Sequence, residues 1–432
     1  MPLPAGFFRR ALVCLGLSCL GLSVLAGCGS RTGLETPDAG PDAGTDAGPD
    51  AGPPPPPCIE VPPEEGLVTA QLDVPASLAV VDIMFLVDAT GSMRDEIDAV
   101  RAGLRDLVVP GVRRAIPDAA FGLAFFGEFP VAPHGRDGNL PYELRSPITT
   151  EVTRVEAAFD ETPNWGNLDD PEAAIEGLYQ VATGDGYGSA GTPGFVPQTL
   201  GCPGGGTGGA CFRDDALPIV MLITDSPMHN GPPDVAPDAP YAFTPAPATY
   251  EEAIAAANAL DLLVVTLGAS DPIRRPPHDH LRALSRDTNS VDADGQPLWF
   301  DIGGGGDRIG REIVSAVQFV ASAVPLTVDA VLEDIPGDGV DADLVIRGVR
   351  AASADPPGNV EAIEGDTFRG VVPGTRLTFD VLVDASELPP STERRVFPAR
   401  IVFRAAGRSR LDVREIQIVV PGADGLGCEE EL

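Results

Sequence analysis

From residue 81 to residue 323, short apolar runs alternate with amphipathic stretches, and this alternation limits the fold more than any other feature of the chain. Val81 to Val87, Phe121 to Phe126, Leu217 to Thr224, Leu262 to Leu267 and Leu298 to Ile302 have the length and apolarity of strands, several of them buried on both faces. Between them, residues 93–109, 170–183, 250–261, 278–287 and 307–323 read as helices. In the first of these, Met93, Ile97, Val100, Leu104 and Leu107 recur at helical spacing; in the second, Ala174, Ile175, Leu178 and Val181 do so. Strands alternating with helices predict a doubly wound α/β unit over 81–324 with a mainly parallel sheet.

After Val324 the helical spacing stops. Strand-like runs follow at 326–334, 341–351, 376–386, 396–405 and 411–420, separated by turn residues such as Pro373-Gly374. They predict an all-β sandwich over 325–427. Residues 66–75 also read as a strand, so the segment 58–80 is expected to give the sandwich its N-terminal strand. The α/β unit is then either inserted in the sandwich, the simpler account, or followed by it.

The first strand ends in Asp88, and Thr90 and Ser92 alternate along the loop after it. Asp225 ends the strand that begins at Leu217. In an open α/β sheet ligands collect at the carboxyl ends of the strands. Two strand-end carboxylates and two hydroxyls there make a hard oxygen site, suited to Mg2+, Ca2+ or Mn2+ rather than zinc or copper. Ser and Thr after a strand also cap helices, but the added Asp225 favours a metal.

Asp88-x-Thr90-x-Ser92 with a later strand-terminal Thr224-Asp225 resembles the metal-ion-dependent adhesion site of von Willebrand factor A domains. The resemblance covers roughly 81–323 and is nearest to one branch, the I-like domain of integrin β subunits. Gly166-Asn-Leu-Asp-Asp-Pro-Glu172 and Ser92-Met-Arg-Asp95-Glu96 are similar to motifs of that branch. It implies a Rossmann-like fold and a central metal held by Asp88, Thr90, Ser92, Glu172 and Asp225. It also implies an adjacent ion at Asp95 and Glu96, where Glu96 departs from the branch's aspartate. A third ion would be held by Glu128, Asn167, Asp169, Glu172 and the Pro171 carbonyl. In such domains a carboxylate from a partner completes the central metal. In integrin β subunits the I-like domain is inserted into a β-sandwich, the hybrid domain, which matches the order found here. A Gly-rich stretch at 184–214 has no counterpart in the family pattern.

The leader and the charge bear on where such a protein works. Arg9-Arg10, an apolar run over 11–25 and Leu25-Ala-Gly-Cys28 read as a lipoprotein signal peptide over 1–27, with Cys28 lipidated. Residues 28–57, with repeated Pro-Asp-Ala-Gly and a proline run, cannot bury a core and read as a semi-rigid spacer. The expected location is the bacterial outer membrane or cell surface, touching membrane through the lipid anchor alone. The formal net charge is −35, with 64 acidic residues against 29 basic ones, all arginine. That balance argues against nucleic acid or an anionic membrane surface as a partner. Four cysteines remain after Cys28 and the leader's two. In an oxidising compartment they allow three pairings, of which Cys202–Cys211 and Cys58–Cys428 are expected.

No Gly-x-Ser-x-Gly, His-Glu-x-x-His or P-loop pattern occurs, and Ser226 and His229 make no defensible catalytic pair. No enzymatic activity is expected. His278-Asp279-His280 reads as a solvated helix start, Gly303 to Gly306 as a flexible turn, and Trp165 as either a contact residue or a packing one. The expected function is metal-dependent binding of a protein or glycan that offers a carboxylate. The alternatives are an envelope-assembly module whose metal only stabilises the fold, and an accessory unit of a metal-insertion machine.

Overall fold

The computed structural model describes residues 56–270, 275–335, 339–423, 425 and 427–428. The leader, Cys28 and nearly all of the spacer lie outside the described residues. In chain order the elements begin with β1 (Cys58–Glu60), β2 (Leu67–Pro75), β3 (Val80–Asp88), α1 (Arg94–Gly103), α2 (Val109–Ala115), β4 (Asp118–Phe126) and β5 (Glu143–Thr149). Then come α3 (Val152–Asp160), α4 (Ala174–Thr183), β6 (Leu217–Thr224), α5 (Tyr250–Ala259), β7 (Leu263–Ala269), α6 (His278–Asp287), β8 (Trp299–Gly303) and α7 (Ile309–Ala323). The rest is β: β9 (Leu326–Asp334), β10 (Ile346–Asp355), β11 (Ala362–Glu364), β12 (Thr367–Val371), β13 (Arg376–Asp384), β14 (Arg395–Ala405) and β15 (Ser409–Val420).

The α/β part has one six-stranded sheet, ordered β5-β4-β3-β6-β7-β8. Five strands are parallel and the edge strand β5 runs antiparallel to β4. Every residue of β3 is buried. Ile83, Phe85 and Val87 meet helices α1, α2, α3 and α7 on one face, while Met84 and Leu86 meet α4, α5 and α6 on the other. Burial on both faces is why the run is apolar without alternation. The sheet reverses its winding direction at β3, which has β4 on one side and β6 on the other. The carboxyl ends of β3 and β6 therefore border the crevice where such sheets hold ligands.

Two further sheets, β1-β15-β14-β9-β12-β11 and β10-β13-β2, make up the β part. Phe379 of the smaller sheet packs with Phe368 and Phe403 of the larger, ring centres 5.0 Å apart in each case. β2 pairs along its whole length with β13, so the chain leaves the β part after β2 and returns to it at β9. The hairpin after β14 docks on the amino-terminal edge of the α/β sheet. There Ser409 Oγ donates to the Val80 carbonyl (3.0 Å) and Arg408 Nη2 to the Arg213 carbonyl (3.1 Å). Cys58–Cys428 and Cys202–Cys211 are both disulfide-bonded.

Several elements differ from the sequence reading. The first helix does not run unbroken to 109. A wider π-type turn over Leu104–Val108 shifts its phase before α2 begins. Leu107 is therefore 42% exposed and Val108 takes its place in the core. The helix expected from 170 starts at Ala174, which leaves Glu172 in the preceding loop. β1, β5, α3, β11 and β12 had no counterpart in the reading. β5 is a half-buried edge strand carrying Pro147, and α3 buries only Val155, Ala158 and Phe159. The Gly-rich stretch joins the core through Tyr187, Val196 and Phe212.

Candidate metal centre

β3 and β6 pair in register, with Val87 opposite Ile223. Their ends therefore deliver Asp88 and Asp225 to one edge. Asp88 is fully buried. Its Oδ1 accepts from the Thr90 backbone N–H (2.9 Å) and the Thr90 hydroxyl (2.7 Å), and its Oδ2 accepts from the Thr224 hydroxyl (2.7 Å). Thr90 Oγ1 and Ser92 Oγ lie 3.3 Å apart, and Ser92 Oγ donates to Asp225 Oδ1 at 3.1 Å. The four residues expected from the two motifs thus form one continuous chain of oxygens.

Glu172 is fully buried beside them. Its backbone is zipped onto the segment after β6: Glu172 N–H donates to the Pro227 carbonyl and His229 N–H to the Glu172 carbonyl, both at 2.9 Å. Asn167 Nδ2 donates to Glu172 Oε1 (2.5 Å). Glu172 Oε2 is buried with no hydrogen-bond partner. Leaving a buried carboxylate oxygen unmet is costly, so this orphan tests whether a cation suits the site, and one does. Burial, reinforced by the charge of Asp225, pushes Asp88 up to about 7. Burial, reinforced by Asp88 and Glu128, holds Glu172 well above the usual carboxylate range. A divalent ion would relieve both penalties.

Asp95 and Glu96 stand at the start of α1. Asp95 is exposed, whereas Glu96 is buried and its Oε1 accepts from Gly305 N–H at 2.9 Å. With Ser92, Asp225, Ser270 and Gly304 they line a cleft of about 510 Å³ that opens onto the Asp225 side of the centre. Gly304 and Gly305 of the glycine run are thus part of the wall.

The third group also converges, with partners the sequence reading did not supply. Glu128 is fully buried, and its Oε1 accepts from the Tyr241 hydroxyl (2.5 Å). Burial pushes Glu128 up to about 8. Asp169 Oδ2 lies 2.8 Å from His134 Nδ1 and 3.3 Å from His229 Nε2. Gly135 lets this loop close: a Cβ there would lie 2.3 Å from the Phe129 carbonyl oxygen. Leu168 N–H in turn donates to the His134 carbonyl (2.6 Å). His134 was not singled out from sequence, and His229 was weighed only as a catalytic partner for Ser226. The available signal was position, since His229 follows Asp225 by one short turn at the edge already assigned to ligands.

One further expectation is corrected, and one left open is resolved. His280 is not solvated: it is 2% exposed, and its Nδ1 accepts from Met228 N–H at 3.2 Å. His278 packs on Trp299, which leaves only Asp279 of that trio in solvent. Trp165 packs rather than projects. It is buried over Gly127, and its backbone bonds with Ala89 and Gly91.

Comparison with solved structures finds a von Willebrand factor type A protein from Catenulispora acidiphila. Identity is 14%, over 85% of this chain and 72% of that one, with a TM-score of 0.35. The open conformation of the pilus adhesin SpaC from Lactobacillus rhamnosus GG matches at 14% identity over 83% of this chain, with a TM-score of 0.34. This chain spans only 45% of that adhesin. No family model and no curated protein matches the chain.

Proposed function

We propose that this chain is a von Willebrand A-type, integrin β I-like binding module that uses a divalent cation to capture a partner's carboxylate outside the cytoplasm. Asp88, Thr90, Ser92, Glu172 and Asp225 would hold the central ion, Mg2+ by donor chemistry or Ca2+ or Mn2+ in its place. Asp95 and Glu96, on the cleft wall, would hold a neighbouring ion. The bound ion supplies positive charge in an otherwise acidic edge, and the cleft beside Ser92 and Asp225 gives a carboxylate its approach. Protein and glycan ligands both carry such groups. No catalytic step is required of these residues.

The observation that carries the reading is the oxygen chain from Asp88 to Asp225, with the unpartnered Glu172 Oε2 beside it. Cys28 as a lipid anchor and residues 28–57 as a spacer would hold the module off a bacterial outer membrane. The two disulfides fit an oxidising compartment. In this reading the β part is a hybrid-like sandwich of 58–80 and 325–427, with the α/β domain at 81–324.

The crowding of buried Asp88, Glu172 and Glu128 favours one rival, in which the metal only stabilises the fold of an envelope-assembly module. One experiment separates the two. Calorimetric titration with Mg2+, Ca2+ and Mn2+ is combined with capture from cell-envelope extract, with and without chelator, using Asp225→Ala as control. Heat of binding and chelator-sensitive capture, both lost in the variant while its fold persists, support adhesion. Capture that survives chelator while the melting temperature falls supports the structural role. No heat with any of the three ions removes both.

A further inference from the structure

We propose that His134, His229 and Asp169, with Glu128 beside them, form a further metal site that selects a borderline transition ion such as Zn2+, distinct in chemistry from the hard-oxygen centre beside it. One ligand atom from each of His134, Asp169 and His229 falls within 4.8 Å of the other two. Glu128 Oε2 borders this group, 3.4 Å from His229 Nε2.

The tautomer of His229 is the deciding detail. Its Nδ1 lies 2.7 Å from the Ala239 carbonyl, which can only accept, so Nδ1 carries the proton. In the neutral ring Nε2 then presents a bare lone pair, and it faces two carboxylate oxygens, Asp169 Oδ2 at 3.3 Å and Glu128 Oε2 at 3.4 Å. Lone pairs facing one another in a buried site need a proton or a metal ion between them, and a bound metal would take the place of that proton. Anchoring one ring nitrogen to a carbonyl while the other binds is how ligating histidines are held. His229 is 2% exposed and Glu128 fully buried; His229 Nε2, Glu128 Oε2 and Asp169 Oδ1 are all buried without a hydrogen-bond partner.

Metal–ligand bonds of about 2.0–2.1 Å put neighbouring donors of a tetrahedral ion about 3.3–3.4 Å apart, which is the His229 spacing to both carboxylates; His134 Nδ1, now 2.8 Å from Asp169 Oδ2, would have to move back slightly to join them. Imidazole nitrogens favour zinc and its neighbours over magnesium or calcium. The surroundings are built for rigidity. Tyr241 stacks on His229 (4.4 Å between ring centres) while its hydroxyl fixes the other oxygen of Glu128. The side chains of His134 and Asp169 keep 13% and 28% exposure, which gives an ion a way in.

The metal-stripped full chain, held in saturating Mg2+, is titrated with Co2+ and followed by visible absorption. Ligand-field bands should grow to one ion per chain and be displaced by Zn2+. His134→Ala and His229→Ala should each weaken binding by about tenfold or more. Glu128→Gln, which keeps volume and the Tyr241 contact, should weaken it in protein whose melting profile shows a native fold. Asp225→Ala should lose its Mg2+ heat and keep the cobalt bands, so the two centres fail separately. Bands suppressed by Mg2+, absent, or unaltered in both histidine variants overturn the proposal and leave the group as an imidazole–carboxylate network.

Discussion

Ser92 Oγ lies 3.1 Å from Asp225 Oδ1 across 133 residues of chain, because their strands are adjacent in one parallel sheet. The contact ties the loop after β3 to the loop after β6. Ser92→Ala should therefore weaken Mg2+ binding by about tenfold, equivalent to roughly 1.4 kcal/mol, as read by calorimetry. The hydroxyl is half-buried, so the melting temperature of the chelated protein should change little. A large loss of stability without loss of affinity would assign Ser92 to folding alone.

The buried carboxylates make metal-free stability depend on pH in a defined direction. Asp88 titrates at about 7 in the folded chain against 3.8 as the ordinary value, because burial and Asp225 disfavour its charge. The folded state then holds a proton that the unfolded state has released. Its stabilising contribution is full below about pH 4 and is lost as pH rises through 7. Glu128, pushed by burial to about 8, adds to the same slope. Asp88→Asn removes the Asp88 part, and the Thr224 hydroxyl that donates to Oδ2 can turn to accept from the new amide. Metal-stripped Asp88→Asn should melt above the parent at pH 8, by roughly 1–4 kcal/mol, and alongside it at pH 4. With Mg2+ present at pH 8 the order should reverse.

The central strands and the Asp88, Thr90, Ser92 and Asp225 group were legible in the sequence because each signal is local. Asp88 closes a strand whose burial on both faces demands an unbroken apolar run. Alternation along a short loop aims Thr90 and Ser92 alike. Leu107 was misplaced because a π-type turn adds a residue to the helical phase, and nothing in composition marks it. β5 escaped because an edge strand half-exposed on both faces shows neither apolar continuity nor clean alternation. His134 and His229 were not joined because their meeting depends on loop paths. Those paths are set by Gly135 against Phe129, and by the Glu172 backbone zipped onto residues 227–229.

At the opposite edge of the sheet, Arg213 joins the two parts of the molecule. Its Nε donates to Asp82 Oδ1 and its Nη1 to Asp118 Oδ1, both at 2.7 Å, while its carbonyl accepts from Arg408. Asp82 is fully buried within β3. Arg213→Ala leaves that carboxylate without its cation and should cost about 3–5 kcal/mol in denaturant unfolding. Adding Asp82→Asn should recover part of the loss, since the unpaired charge is then gone. Mg2+ affinity should hold in folded Arg213→Ala, because this edge lies away from the metal loops. If the double variant is no better than the single one, the loss lies in the guanidinium's bonds to Asp118 and the Val81 carbonyl.

Gly127 places a different constraint on the metal edge. A Cβ there would lie 2.6 Å from Trp165 Cε3. The Trp165 backbone pairs with Ala89 and Gly91 on the Asp88 loop, while the Gly127 carbonyl accepts from Ala173 N–H next to Glu172. One added methyl group therefore pushes on both loops that carry the central oxygens. Gly127→Ala should destabilise the protein by about 1–3 kcal/mol through overpacking and weaken Mg2+ binding together with it. Trp165 is one of two tryptophans, and the other, Trp299, sits under Arg282 on β8. Emission from Trp165, isolated in a Trp299→Phe background, should shift in Gly127→Ala, and in the Gly127 parent it should respond to Mg2+. An emission spectrum indifferent to both the methyl group and the ion would mean that Trp165 does not couple the loop after β4 to the Asp88 loop.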